Sequence, residues 1–487
     1  MFYLYFSIAF VLIMGTYFVL KYVVFKNNEK FKAVISKILK IVSIVYCSII
    51  FLSILLPDAF CLCYSKEELV NRDVWFAMVR WLSTVSFIVM PISAYFDNKT
   101  LKVIAIASCF VSGIINLIAF PQYLSYATDA SGRGLNSISV ISEGFKNFLR
   151  NGTFRSFVFG LTFLIQISFA ITLFFEEFKN LKLNLKQSLF AVLTFVAIFF
   201  ACVPIYVPQH LFGHSNIIFS AWSIPHLMWF VLVVGEILAL YFIFRNKDEQ
   251  TKHILLIILS LCLFLQYNQM FSAISINAKR FPLQLCNIGA YFILASMIFK
   301  NQKLFNFTLI VNLTGAIFAL AIPDLDNNGL FQLYNMHFIF EHTNILVVPI
   351  LALCFKIFKP VDKYALRDCM VGFCCYFALV LVLGTTFNAI ALKTSNGFWS
   401  ANYLFMFDKV AATKVISGVG GLFDITWKIG NYVVLYPVIQ LLIFLVFATA
   451  CVLVYFALRL IFVLNQKSQQ KKLAKQSEAQ IENNNAN

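Results

Sequence analysis

Apolar runs of 18 or more residues recur along almost the whole chain, separated by short polar breaks. Wound as a helix at about 1.5 Å per residue, such a run matches the hydrocarbon thickness of a bilayer. The expected fold class is therefore all-α, a polytopic transmembrane helical bundle. About thirteen spans are expected, at roughly 2–25, 34–56, 74–96, 101–120, 155–176, 187–207, 216–244, 253–271, 281–299, 304–322, 336–357, 368–392 and 433–463. With 61% of the residues hydrophobic and 12% charged, no soluble domain of useful size is left over.

The basic residues orient these spans. Alternate breaks hold Lys26, Lys30 and Lys32, then Lys99 and Lys102, Lys179, Lys182 and Lys186, Arg245, Lys247 and Lys252, Lys300 and Lys303, and Lys359, Lys363 and Arg367. Positive residues stay on the cytoplasmic side. That places the N-terminus outside and the C-terminus inside, in a multi-pass protein of the cell membrane. The net charge of +16 sits in these breaks, where topology and anionic headgroups account for it. No basic face interleaved with aromatics remains for nucleic acid, so the expected partners are membrane lipids. The oligomeric state is not legible.

No charge precedes Lys21, so the first apolar run reads as a retained helix and not as a signal peptide. The segment after Leu464 is rich in Lys, Gln, Asn and Glu and is expected to be disordered. The 12 cysteines are scattered, with a lone C-x-C at Cys61 and Cys63. No zinc-type pair recurs, so neither a metal, a cofactor nor a disulfide framework is expected.

The two halves share an ordered set of weak matches. FKNNEK from Phe25 pairs with FRNKDE from Phe244, and Leu82–Leu101 pairs with Leu285–Leu304. Ser112, Gly113 and Pro121 then fall on Thr314, Gly315 and Pro323, and Phe178 on Phe358. The pattern implies two tandem parallel repeats of about six helices, as in some transporters. The expected division is a degenerate first repeat over 1–210, a second repeat over 211–464 and a cytoplasmic tail over 465–487.

Chemistry concentrates in the second repeat, over Phe281–Pro349. Cys286 lies about 7–8 Å and His342 about 9 Å into helices that start on the outer side, and Asp324 follows the outer end of the helix between them. An imidazole can take the proton of a thiol, and a carboxylate can fix the imidazole tautomer. Gln284, Asn287 and Thr343 are candidate donors to a substrate oxyanion. The first repeat has Ser83 opposite Cys286 and an apolar stretch around Gly160–Thr162 opposite His342. The same residues also admit a plain reading: a thiol in a helix packs as a small hydrophobe, and a histidine near a helix start bonds a neighbouring carbonyl. Glu341 and Asp324 then face water at the interface, and Arg80 snorkels. Glu236, near the middle of 216–244, is the deepest carboxylate and a coupling group for a transporter or lipid carrier; a non-catalytic scaffold is the third reading.

Four stretches resemble the YwaF-like integral membrane proteins of bacteria: Phe281-Pro-Leu-Gln-Leu-Cys286, Gly315 to Pro323-Asp-Leu325, Glu341-His342-Thr343 and Asn402-Tyr-Leu-Phe405. The resemblance covers about residues 220–460. Where the family motif, Leu-Pro-Leu-His-Leu-Cys, has its first histidine, this chain has Gln284. The family is similar to a eukaryotic multi-span protein proposed to be a phospholipid acyltransferase. The resemblance implies that Cys286 accepts the acyl group and His342 is its base.

Overall fold

The structure is a computed structural model that describes residues 2–55, 74–126, 139–178, 181–213, 216–273, 277–321, 323, 329–415 and 418–485. Cys61, Cys63 and Asp324 lie outside the described residues. The chain is helical almost throughout. In order come α1 (Phe2–Phe18, prolonged by a π-helical turn over Val19–Val24), α2 (Glu29–Leu55), α3 (Val74–Tyr95) and α4 (Lys99–Tyr126). Then follow α5 (Glu143–Leu149), α6 (Gly152–Glu177), α7 (Leu185–Ala201), α8 (Val207–Phe212), α9 (Ile224–Phe244) and α10 (Glu249–Ala273). Next are α11 (Leu285–Phe299), α12 (Gln302–Ala321, with a π turn over Thr308–Asn312), α13 (Leu333–Cys354) and α14 (Lys363–Thr394). A short α15 (Lys409–Val415), the hairpin β1 (Trp427–Ile429) and β2 (Val433–Leu435), and α16 (Pro437–Asn485) close the chain.

Among the described residues, eleven helices are long and apolar enough to cross a membrane, and two shorter apolar helices, α7 and α11, stand at the remaining expected spans. Their starts follow local chemistry. Asn184 and Gln187 form a reciprocal capping box at α7, Asn151 caps α6, and Asp362 caps α14. Bare helix-start N–H groups at the membrane surface are thereby satisfied.

The helix of α16 runs on past Leu464 to Asn485. Lys, Gln, Glu and Ala are good helix formers, and propagation from an existing span avoids the cost of nucleation.

The internal packing divides the chain into two units, differently from a cut at 210/211. The first comprises Met1–Trp229, Ile258–Asn277 and Leu325–Glu341, and the second Phe230–Ile257, Ala278–Asp324 and His342–Asn487. In the first unit α4 packs on α3 and α6, α2 lies against α3 and α6, and α1 lies on α6. The ring of Phe6 rests where Gly160 has no side chain. The π turn of α1 carries Lys21, which is 3% exposed. Its ammonium donates to Glu176 at 3.0 Å, to the Phe175 carbonyl at 2.8 Å and to the Tyr17 hydroxyl at 3.2 Å. All three ammonium protons are thus used, which is what makes a buried lysine tolerable. In the second unit α12 packs between α11 and α14, and α16 lies on α14 and α12.

Candidate functional site

The candidate site is built on the chain entering α11. Pro282 cannot donate a backbone bond, and Gln284 stands at the helix cap with an extended backbone. Its side chain does not cap the helix. Instead the amide nitrogen donates to the Asn402 carbonyl at 2.8 Å, and the amide oxygen accepts from the Leu404 N–H at 2.8 Å. On either side of Gln284 the backbone is held again. The Tyr376 hydroxyl donates to the Leu283 carbonyl at 2.7 Å, and the Asn312 amide donates to the Leu285 carbonyl. Asn312 stands at the end of the π turn of α12, and it fits against α11 because Gly289 has no side chain there: an added Cβ would lie 3.3 Å from the amide carbon. Three residues from three elements therefore fix the turn that presents Cys286.

The loop bonded by Gln284 is itself constrained. Leu404 and Phe405 have φ of 53° and 59°, a region that costs a side-chain-bearing residue about 1–3 kcal/mol and persists only where surroundings impose it. Here Asn388 exchanges two bonds with Ala401, the Phe407 N–H donates to the Asn402 side chain, and the Tyr403 hydroxyl donates to the Ala278 carbonyl. The Asn402–Phe405 stretch, singled out in the sequence by resemblance alone, is thus the strap across the start of α11.

Cys286 is half-buried and donates its thiol proton to the Asn287 carboxamide oxygen at 3.1 Å. His342, on α13, is 3% exposed. The Cys286 sulfur and a His342 ring nitrogen lie within 4.8 Å of each other. That bound lies within the range from which an unliganded thiol–imidazole pair tightens. Thiolate and imidazole are also ligand types for zinc; two of them leave at least two tetrahedral positions to be filled from elsewhere.

The other candidates are placed as follows. Gln284 has both ends of its amide on the strap, and Asn287 turns its accepting oxygen to the thiol. Thr343 is half-buried, one residue beyond His342. Asp324 lies outside the described residues. Glu236 is half-buried on α9, with no hydrogen bond or ion pair among the described residues. His226, on the same helix, accepts from the Trp222 N–H at 3.1 Å and serves the helix start.

Two groups escaped the sequence reading. Glu341, taken for an interfacial residue, is 1% exposed, and its carboxylate lies 3.2 Å from the ring nitrogen of His337. The signal was present as a His–Glu pair four residues apart on one helix face. Tyr376 and Asn312 carried no signal, since an aromatic or amide within an apolar run looks the same wherever it points.

Residues 218–455, just under half the chain, match the model of the TMEM164 family, a family of membrane proteins. Cys286, His342 and the strap all fall inside the match. No curated protein and no solved structure matches the chain.

Proposed function

We propose that this integral membrane protein is an acyltransferase acting on membrane phospholipid, with Cys286 as nucleophile and His342 as base. The observation that carries the reading is the approach of the two side chains to within 4.8 Å on a helix turn fixed by three separate side chains. Catalytic geometry of this kind depends on such supports, because a nucleophile and its base must be held, not merely present. Resemblance to YwaF-like proteins and to a proposed phospholipid acyltransferase supplies the substrate class.

In the first half-reaction the His342 imidazole takes the Cys286 proton, and the sulfur attacks an ester carbonyl. The C–O bond of the ester breaks, the acyl group becomes a thioester, and the proton passes from the imidazolium to the departing lysolipid oxygen. In the second half-reaction an acceptor hydroxyl loses its proton to His342 and attacks the thioester. The C–S bond breaks and the thiol is restored. Gln284, Asn312 and Tyr376 hold the turn throughout, and an Asn287 amide that rotates is a candidate donor to the oxyanion. With the N-terminus outside, the pair lies in the outer leaflet.

The test is acyl-chain lipidomics in cells, with protein level monitored, for wild type, Cys286→Ser, His342→Ala and, as control, Ser83→Ala. Loss of an acyl-chain change in both second-half variants, with the control unaffected, is expected. Normal accumulation of both variants with a wild-type lipid profile refutes acyl transfer. A second reading rests on Glu236. A carboxyl at mid-span is costly in lipid and marks ion or proton pathways in carriers. Transport lost in Glu236→Gln and kept in Cys286→Ser selects that reading.

A further inference from the structure

The stretch of chain that carries the strap also carries the hairpin. Between the end of α14 at Thr394 and the start of α16 at Pro437 lie the strap, α15, β1 and β2. The strands pair antiparallel, Trp427 with Leu435, Lys428 with Val434 and Ile429 with Val433. Opposed residues share a face of the sheet, and so do residues two apart on one strand. Trp427, Ile429, Val433 and Leu435 therefore form one wholly apolar face. Ile425, extended just ahead of β1, falls on the same side, and Thr426 and Lys428 fall on the other. β2 packs on α14 and is half-buried. β1 is exposed along its whole length, with Ile425, Trp427 and Ile429 at 52%, 63% and 53%.

Two spans fix the depth of this hairpin. As consecutive spans, α14 and α16 cross in opposite directions, and the Phe444 ring of α16 packs on Phe377 of α14 at 5.0 Å between centroids. Seven residues back from Phe444 is Pro437, and the same rise carries α14 from Phe377 to about residue 384, still inside its span. Leu435 stands two residues before the apolar run of α16. The base of the hairpin is thus level with the edge of the hydrocarbon, and the exposed Leu441 and Leu445 of α16 begin the lipid-facing surface directly beyond it.

We propose that β1 lies in the phospholipid headgroup layer, with Ile425, Trp427 and Ile429 turned onto the tops of the acyl chains. Two opposed requirements leave only that layer. Among the described residues the sheet has two strands, so the outer edge of β1 carries unpaired N–H and C=O groups. Hydrocarbon cannot satisfy such an edge. Three large apolar side chains on one open face are, conversely, unfavourable in water. The headgroup layer supplies water and phosphate oxygens to the edge and an apolar cover to the face. The residue types agree. Trp427, and Tyr432 in the turn, carry the rings that collect at membrane interfaces, and Lys428 on the opposite face suits an anionic headgroup. The strap is part of the same stretch, so an anchored hairpin keeps it at the membrane surface. The placement needs neither Cys286 nor His342, so it holds with or without acyl transfer.

The test uses the full chain with fluorotryptophan at its 6 tryptophans, reconstituted in vesicles of phosphatidylcholine and phosphatidylglycerol. The Trp427 fluorine resonance is the one lost in Trp427→Phe, or in Trp427→Tyr where the first variant folds poorly. Its line broadening is measured with a nitroxide at the top of the lipid acyl chain and, separately, with a water-soluble gadolinium chelate. The buried Trp81 and Trp229, each 4% exposed, serve as references. Relative to them, Trp427 is expected to broaden several-fold more with the lipid nitroxide than with gadolinium. Ile425→Ser combined with Ile429→Ser is expected to shift that ratio toward gadolinium, because the face that enters the lipid is then polar. Broadening of wild type by gadolinium alone puts β1 in water. Shielding from both probes means that protein, such as a second copy of the chain, covers the face. Either result overturns the proposal.

Discussion

Removing the Gln284 side chain tests whether the strap over α11 is held there or merely rests there. Gln284→Ala deletes a donor to the Asn402 carbonyl and an acceptor from the Leu404 N–H, both at 2.8 Å and both part-buried. Each lost bond is worth about 1 kcal/mol net, rising toward 2 where the backbone partner stays shielded from water, so the pair amounts to about 2–4 kcal/mol. The left-handed Leu404 and Phe405 add to the bias, because they gain when released. At 1.4 kcal/mol per decade, the open population of the strap rises by about 30- to 700-fold. Amide hydrogen exchange of the full chain, read over peptides covering residues 398–407, measures this directly, since protection reports local opening. Peptides from α3 and α6 in the first unit are expected to keep their protection. Gln284→Glu keeps an acceptor for Leu404 but places a carboxylate beside the Asn402 carbonyl, so it is expected to fall between wild type and alanine. If exchange over 398–407 is unchanged in Gln284→Ala while α11 stays folded, the clamp is a contact without consequence. The strap then does not fix Cys286.

Other perturbations probe the packing and the topology. Gly160→Ala puts a Cβ at 1.8–2.3 Å from the Phe6 ring, so the ring must leave; a loss of about 1–3 kcal/mol is expected as a lower melting temperature, partly recovered when Phe6→Leu is added. No recovery means α1 does not dock there. Lys21→Met alone or Glu176→Leu alone leaves one buried charge without its ion-pair partner, and each is expected to cost about 3–5 kcal/mol. A double-mutant cycle on unfolding should show the double variant well short of the sum, and additivity refutes the pairing. The basic breaks require a tag at residue 140 to be external and one at residue 480 internal; protease accessibility in intact cells with tag 140 protected overturns the orientation.

The sequence by itself determined that the chain is a set of helices and where they run. A span is a local property: enough consecutive apolar residues to cross the hydrocarbon, ended by a capping Asn or Asp or a basic break, and no distant contact is needed to decide it. For that reason all thirteen expected segments correspond to helices, including the short α7 and α11. Local propensity also carries the helix of α16 past Leu464 to Asn485. Residue type also marked Cys286 and His342, because thiols and imidazoles inside apolar runs are conspicuous.

Which faces meet was decided only by the tertiary structure. A helix that is apolar all round carries no phase in its sequence, so nothing local tells which way a side chain turns. Hence Asn312 and Tyr376 gave no sign that they hold the Cys286 turn, and Glu341 passed for a residue facing water until its burial beside His337 was seen. Gln284 read as a donor to substrate until the strap took both ends of its amide. Arg80 read as snorkelling until α3, α10 and the turn at Tyr206 closed around it. In water the rotation of each helix would show in its polar stripe. In lipid the outside is as apolar as the inside, and only side-chain packing and a few buried hydrogen bonds set the rotation.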